Sequence, residues 1–208
     1  MKIIEPIAFL MNDFDGEEVM KFLELCGRTA YQSAKNIIDD SAEKFIRNII
    51  KRGHESVLEH FSCTFKIICD RGVMAELTRH RHASFTIEST RFNDYSSKKF
   101  GNELTVIRPC FWAEETNAYH WWEFDMEEIE KTYLNWREEE VPPEQVRAIL
   151  PNSLKTEIIM TANLREWRHI LKLRTAKDAH PQMRQVAEMI LATLKRKLPV
   201  IFEDIGGW

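Results

Sequence analysis

The 208-residue chain is 44% hydrophobic and 30% charged, with a formal net charge of −4. That balance excludes a disordered or membrane-embedded chain, and the acidic total is opposite to the basic surplus of a general nucleic-acid binder. Seven glycines and seven prolines exclude collagen-like or linker-dominated architectures, and the length suits one domain over residues 1–208. Lys2–Leu10 reads as a strand and Glu17–Thr29 as a helix with Val19, Phe22, Leu23 and Leu25 on its apolar side. Ser41–Lys51 is a second helix, closed by Gly53. Phe61–Cys69 alternates Phe, Cys, Phe, Ile, Cys on one face, the pattern of a half-buried strand. Asp70 can cap a helix running to about Arg81. Ser84–Lys99 lacks periodicity and reads as an ordered loop, and Leu104–Arg108 as a short strand. Trp112–Glu140 is a long acidic helix with a break near Trp121. Pro142 and Pro143 open a short helix through Leu150. Lys155–Thr161 reads as a strand, with helices over Leu164–Arg174 and Gln182–Leu198. Clustered helices with separated strands predict an α+β fold, a single domain with an antiparallel sheet. No apolar run nears the ~20 residues of a membrane helix. Glu5 interrupts the start too early for a secretory segment, so a cytoplasmic protein is expected.

Charge is unevenly placed. Residues 123–144 hold nine acids and two bases, a net of −7. Residues 165–184 hold six bases (Arg165, Arg168, Lys172, Arg174, Lys177 and Arg184) and two acids, a net of +4. Arg79, Arg81 and Arg91 gather in a second stretch with His80 and His82 between them. Arginine concentrated in an acidic chain points to small anions, because the planar guanidinium forks onto phosphate and stays charged. The four cysteines, at 26, 63, 69 and 110, form no Cys-x-x-Cys, so neither a zinc ribbon nor a dithiol site is expected. Cys63 and Cys69 share the apolar face of their strand and read as core.

Several chemistries have no motif to carry them. No Gly-x-Gly-x-x-Gly, Walker A loop, Gly-x-Ser-x-Gly or His-Glu-x-x-His can be written. His54 and His60 in GHESVLEH stand six apart, and one helix face cannot present both to zinc, so no metal is expected.

The segment Glu76–Phe92, ELTRHRHASFTIESTRF, carries the strongest signal. Arg79-His80-Arg81 is followed by seven residues and then Ser89, with Ser84, Arg91 and an aromatic at Phe92. This pattern resembles the flavin-dependent thymidylate synthase family. Three further blocks follow the family's order: GHESVLEH at Gly53–His60, VRAILP at Val146–Pro151 and NLREWRHILKLR at Asn163–Arg174. Thr86 and Ile87 stand where Asn and Glu are common, Phe92 where Tyr is usual, and His169 where Asn is more usual.

The resemblance implies a homotetrameric enzyme that converts dUMP to dTMP. Its carbon would come from 5,10-methylenetetrahydrofolate and its hydride from FAD reduced by NADPH. It implies flavin contacts from His54, Ser56, Arg79, His80, Arg81, Thr86, Ile87, Asn163, Leu164, Arg165, His169 and His180. Nucleotide contacts would come from Glu76, Leu77, Thr78, Arg79, Arg147 and a phosphate loop of Ile87, Glu88, Ser89, Thr90 and Arg91. Arg174 is the candidate catalytic residue, stabilising charge as it develops on the uracil. Sites would be shared between subunits, the 87–91 loop of one with Arg174 of another. A C5-methylase of a related pyrimidine nucleotide and a nucleic-acid-binding module are the alternative readings.

Overall fold

The computed structural model describes residues 1–206. Strands β1 (Lys2–Ile4) and β2 (Ile7–Leu10) lead into helices α1 (Gly16–Thr29) and α2 (Ser41–Lys51). Strand β3 (Ser62–Asp70) runs straight into α3 (Arg71–Leu77), and β4 (Ala83–Ile87) and β5 (Thr105–Ile107) follow. Helices α4 (Asn117–Glu138) and α5 (Pro143–Val146) precede β6 (Lys155–Asn163), which passes directly into α6 (Leu164–Arg174). Helices α7 (Pro181–Lys197) and α8 (Pro199–Phe202) complete the α+β fold.

The strand order is β2-β3-β6-β4 in one sheet and β1-β5 in another. The central pair is antiparallel. Leu164 N–H donates to Phe61 O at 3.0 Å, and the Thr64 and Thr161 hydroxyls meet at 2.8 Å, so partner numbers run in opposite directions. The β1-β5 pair departs from the expected antiparallel arrangement: it is parallel, with Lys2 beside Thr105 and Ile4 beside Ile107.

The chain divides into two compact units. One comprises Met1–Ile7, Ile67–Arg79 and Thr86–Ile158; the other comprises Ala8–Lys66, His80–Phe85 and the chain from Ile159 onward. In the first, Tyr95, Leu104, Tyr133, Val146 and Leu154 form one buried cluster, and Val106, Tyr119, Trp122 and Met126 another. In the second, Leu23, Ile46, Leu58, Phe65 and Trp167 are fully or almost fully buried. Phe65 and Trp167 meet edge to face at 5.2 Å, and the Trp167 indole N–H donates to Cys63 O at 3.2 Å. Burial pushes the Cys63 thiol up to about 12, which suits an inert core residue.

Local chemistry explains most boundaries. Asp15 caps α1 by accepting from Glu17 N at 2.8 Å, and Asp70 caps α3 by accepting from Val73 N at 2.7 Å. Gly53 takes φ +70 just past α2, where a left-handed residue ends a helix.

Where the structure departs from the sequence reading, the reason is local. The first strand is two, divided at Glu5-Pro6, since proline has no N–H to continue a ladder. Helix α3 stops at Leu77, four residues short of Arg81. Helix α4 is unbroken past Trp121 and begins at Asn117, where the Thr116 hydroxyl accepts from Tyr119 N at 3.3 Å. The supposed loop after Ser84 contains β4, whose alternation lasts only five residues. Phe22 and Leu25 are exposed at 46% and 52%, so only part of the expected apolar side of α1 is buried.

Candidate functional site

Asn163 ends β6 and caps α6, its side-chain oxygen accepting from Glu166 N at 2.9 Å. The cap fixes where α6 starts and hence which way its side chains face. Glu166 and Arg174 lie on one stripe, eight residues apart, and His169 lies one turn from Glu166.

His80, in the segment leading into β4, fits between these residues and is 6% exposed. Arg174 Nε donates to His80 Nε2 at 3.1 Å, while His80 Nδ1 lies 3.8 Å from Glu166 Oε1. The His169 ring stands edge-on at 5.9 Å. Burial, then the Arg174 charge, then His169 lower the His80 pKa to about 4, so its imidazole is neutral at pH 7. A neutral ring accepting at Nε2 carries its proton on Nδ1, the nitrogen facing Glu166.

His80, Glu166 and His169 are the right residue types for a metal, with ligand atoms within 4.8 Å of one another. Their hydrogen bonding points elsewhere. With Nε2 accepting from Arg174 and Nδ1 protonated, His80 offers no lone pair to a cation. The cluster is a chain from carboxylate through imidazole to guanidinium, hydrogen-bonded between His80 and Arg174 at 3.1 Å and in proximity only, at 3.8 Å, between His80 and Glu166.

A cavity of about 760 Å³ opens beside this chain, with Asn163, Arg165, Glu166, His169, Lys172 and His82 among its lining residues. Arg165 Nη1 reaches Glu59 at 2.5 Å, and Arg168 pairs with Asp204 at 2.7 Å and Glu55 at 3.2 Å. Two residues expected at the flavin, His54 and Ser56, line a different cavity of about 380 Å³ with Gly27, Arg28, Tyr31 and Phe45. Arg28 lies 5.0 Å from the centre of the Phe45 ring there. His180 caps α7, its Nδ1 accepting from Gln182 N at 3.3 Å. Arg81 is exposed and Leu164 buried.

The remaining expected residues belong to the other compact unit. Glu76, Leu77 and Thr78 end α3; Leu77 is fully buried, and the Thr78 hydroxyl donates to Ala75 O at 3.1 Å. Arg79 and Arg147 are exposed, as is Thr86, with Ile87 half-buried. Beyond Ile87 the chain makes a tight turn. Ser89 Oγ accepts from Arg91 N at 3.3 Å, and Ser89 O accepts from Asn93 N at 3.1 Å. Thr90 is buried, while the Arg91 guanidinium stands 5.1 Å from the centre of the 77% exposed Phe92 ring.

Glu88 braces this turn. Its carboxylate accepts from the Tyr95 hydroxyl at 3.1 Å and from Lys155 Nζ at 2.9 Å, and its backbone N–H donates to Glu157 O at 2.9 Å. Burial, with the Glu88 carboxylate adding to it, raises the Tyr95 pKa. Sequence reasoning missed Glu166, Tyr95 and Lys155. Glu166 had a signal in its eight-residue interval from Arg174; Tyr95 and Lys155, 60 residues apart, had none.

A family model described as thymidylate synthase complementing protein matches residues 13–200. A probable flavin-dependent thymidylate synthase of Mycobacterium phage L5 is 33% identical over 206 residues, covering 93% of this chain and 82% of its own. The flavin-dependent thymidylate synthase of Pyrococcus furiosus is 34% identical over 172 residues, covering 82% of this chain and 70% of its own. The fold is similar to a solved UMP/dUMP methylase, PolB from Streptomyces cacaoi bound with 5-Br dUMP. The TM-score is 0.77 at 22% identity, over 98% of this chain and 96% of that one. A family match that spans the Arg-His-Arg segment and the whole of α6, with relatives above 30% identity along most of the chain, leads to one assignment: this chain belongs to the flavin-dependent thymidylate synthase family, the thymidylate synthase complementing proteins.

Proposed function

We propose that the chain catalyses the reductive methylation of dUMP to dTMP, with FAD as cofactor and 5,10-methylenetetrahydrofolate and NADPH as co-substrates. The observation that carries the reading is the meeting of His80, from the Arg-His-Arg segment, with Glu166, His169 and Arg174 of α6 beside a polar cavity. The cavity's volume lies within the roughly 300–1,000 Å³ of small-molecule sites. Arg165, Lys172, His82, His169 and Asn163 give it donors, while Glu55, Glu59 and Glu166 in the same lining offset the charge of its cations, so the cavity suits a polar ligand that both donates and accepts. In the second cavity His54 and Ser56 give polar partners and the Tyr31 and Phe45 rings stacking surfaces, with Arg28 held there by Glu24 at 2.7 Å. These residues fit FAD, which, once reduced by NADPH, would supply the hydride.

The chain's own residues divide the remaining work. His54, Ser56, Arg79, His80, Arg81, Thr86, Ile87, Asn163, Leu164, Arg165, His169 and His180 hold the flavin. Ser89, Thr90 and Arg91 take the dUMP phosphate on a turn braced through Glu88, with Glu76 to Arg79, Ile87 and Arg147 completing the nucleotide site. Arg174 stands at the uracil ring, where its positive charge stabilises the negative charge that develops as C5 becomes nucleophilic. The enzyme works in the cytoplasm as a homotetramer of single-domain chains. The turn at 87–91 of one subunit then serves the same site as Arg174 of another.

An absorption spectrum of the purified protein, followed by product analysis, tests the reading. Flavin bands and dTMP formed from dUMP are expected. A colourless protein that takes up no added FAD overturns it. UMP offered in the same assay reports whether the 2′ position is discriminated.

A further inference from the structure

Resting on that reading, we propose that Lys155 is a positioning residue of the phosphate turn: its ammonium holds and neutralises the Glu88 carboxylate, which lets a turn that carries an acid accept a phosphate dianion. A phosphate monoester bears nearly two negative charges at pH 7, and a carboxylate beside it repels it. Yet Glu88 immediately precedes Ser89, whose hydroxyl accepts from Arg91 N within the turn. A chain can tolerate such an acid in two ways. Water can screen it, or a fixed cation can cancel it.

Glu88 follows the second way. Its side chain is 9% exposed, too little for water to screen it. Each carboxylate oxygen has a donor of its own: the Tyr95 hydroxyl reaches Oε1 at 3.1 Å, and Lys155 Nζ reaches Oε2 at 2.9 Å. Only the second brings a charge. Tyr95 forms the rigid side of the clamp. It is buried, its ring stands edge-on to Phe100 at 5.0 Å, and its N–H donates to the Tyr133 hydroxyl at 3.2 Å.

Lys155 opens β6, and its ammonium also meets Glu157 Oε1, two residues along the same strand face, at 2.8 Å. Glu157 is 37% exposed, so water shares in screening that carboxylate, whereas Glu88 relies on the lysine. Burial disfavours the Lys155 ammonium, but its hydrogen bonds to Glu157 and Glu88 outweigh that and raise its pKa, so the charge persists at neutral pH. The Glu88 N–H donates to Glu157 O at 2.9 Å, which ties the start of the turn to β6 and keeps the two side chains within reach. Lys155 touches no substrate; it acts through Glu88.

The opposite charges of the pair supply the test. Flavin-loaded protein is titrated with dUMP and with deoxyuridine, which lacks the phosphate, and KM and kcat are measured for dUMP. Lys155→Met keeps the stem and removes the charge. It should weaken dUMP binding by about fivefold to tenfold, the scale of one unit charge acting on a dianion near water, and the loss should appear in KM rather than kcat. Deoxyuridine binding should change by less than about twofold, and Lys155→Arg should recover most of the dUMP affinity. Glu88→Gln keeps an oxygen for the Tyr95 hydroxyl and should bind dUMP as tightly as wild type or more tightly. The double variant, which loses one charge of each sign, should return to within about threefold of wild type. A brace with no electrostatic role gives another pattern: both single variants weaken binding, the double variant is the weakest, and deoxyuridine suffers with dUMP. That pattern overturns the proposal, as does unchanged dUMP binding in Lys155→Met. Should Lys155→Met fail to fold, Glu88→Gln alone decides, since weakened dUMP binding there has the wrong sign. Wild-type protein that binds dUMP no more tightly than deoxyuridine also overturns the proposal, whereas one that prefers dUMP yet forms no dTMP overturns the proposed function alone.

Discussion

Arg168 and Arg174 sit on the same helix, six residues apart, in different surroundings. Arg168 is 1% exposed, and its fork lies across the Asp204 carboxylate at 2.7 and 2.8 Å, with Glu55 at 3.2 Å and the Ile201 carbonyl also in contact. It ties α6 to the chain beyond α8 and to the 3-10 turn at Glu55–His60, and its charge is consumed there. Arg174 is half-buried, and its Nε partner is a neutral imidazole. The surroundings of two arginines on one helix thus differ in burial and in the groups they face, which their place in the sequence does not reveal.

Breaking each arginine should separate the two roles. The largest effect on folding is expected from Arg168→Ala. The buried guanidinium is lost with its packing and hydrogen bonds, while the carboxylates left behind, Asp204 and Glu55, are 44% and 22% exposed and can be solvated, so the cost is expected at about 1–3 kcal/mol, which a denaturant titration will detect. Arg174→Ala should lose less in that titration than Arg168→Ala, since Arg174 is half-buried and Arg168 is 1% exposed. Its turnover should instead fall by about 10²–10³, as for other lost charge-stabilising donors. If both variants lose stability equally, the contrast is wrong. Arg91→Ala sharpens it from the other compact unit. A charge-assisted phosphate contact is present in ground and transition states alike, so dUMP affinity should weaken by about 1.5–3 kcal/mol at unchanged kcat. The smallest effect is expected from Tyr95→Phe. Losing the hydroxyl that braces Glu88 should cost about 1 kcal/mol in thermal unfolding, with a modest rise in the apparent KM for dUMP.

The sequence disclosed some of this directly. Helices α2 and α6 run as their patterns predict, because an amphipathic stripe is a local property. The alternation in Phe61–Cys69 likewise marks β3. The +4 surplus of residues 165–184 was visible too, but most of it proves to be spent. Arg165, Arg168 and Lys172 face Glu59, Glu55 and Asp204, and Arg184 lies 3.8 Å from Glu188. A linear count of charge cannot show neutralisation by residues a hundred positions away. The brace on the Ser89 turn was hidden for the same reason, since Lys155 comes 67 residues after Glu88. The role of His80 was hidden differently: a residue between two arginines reads as part of a basic cluster. Only burial and its hydrogen-bond partners show it to be neutral.

The passage from β6 into α6 contains no connecting residue, for Asn163 is both the last of the strand and the cap of the helix. β3 meets α3 in the same way at Asp70. A helix advances 100° per residue, so inserting or deleting one residue at Asn163 would swing the whole stripe of Glu166, His169 and Arg174 around the helix axis. No loop is present to absorb the error. Drift in length over evolutionary time is therefore closed to this junction, while the turns around Lys98 and Ala113 carry no such gearing. The site's geometry is stored in a count of residues as much as in their identities.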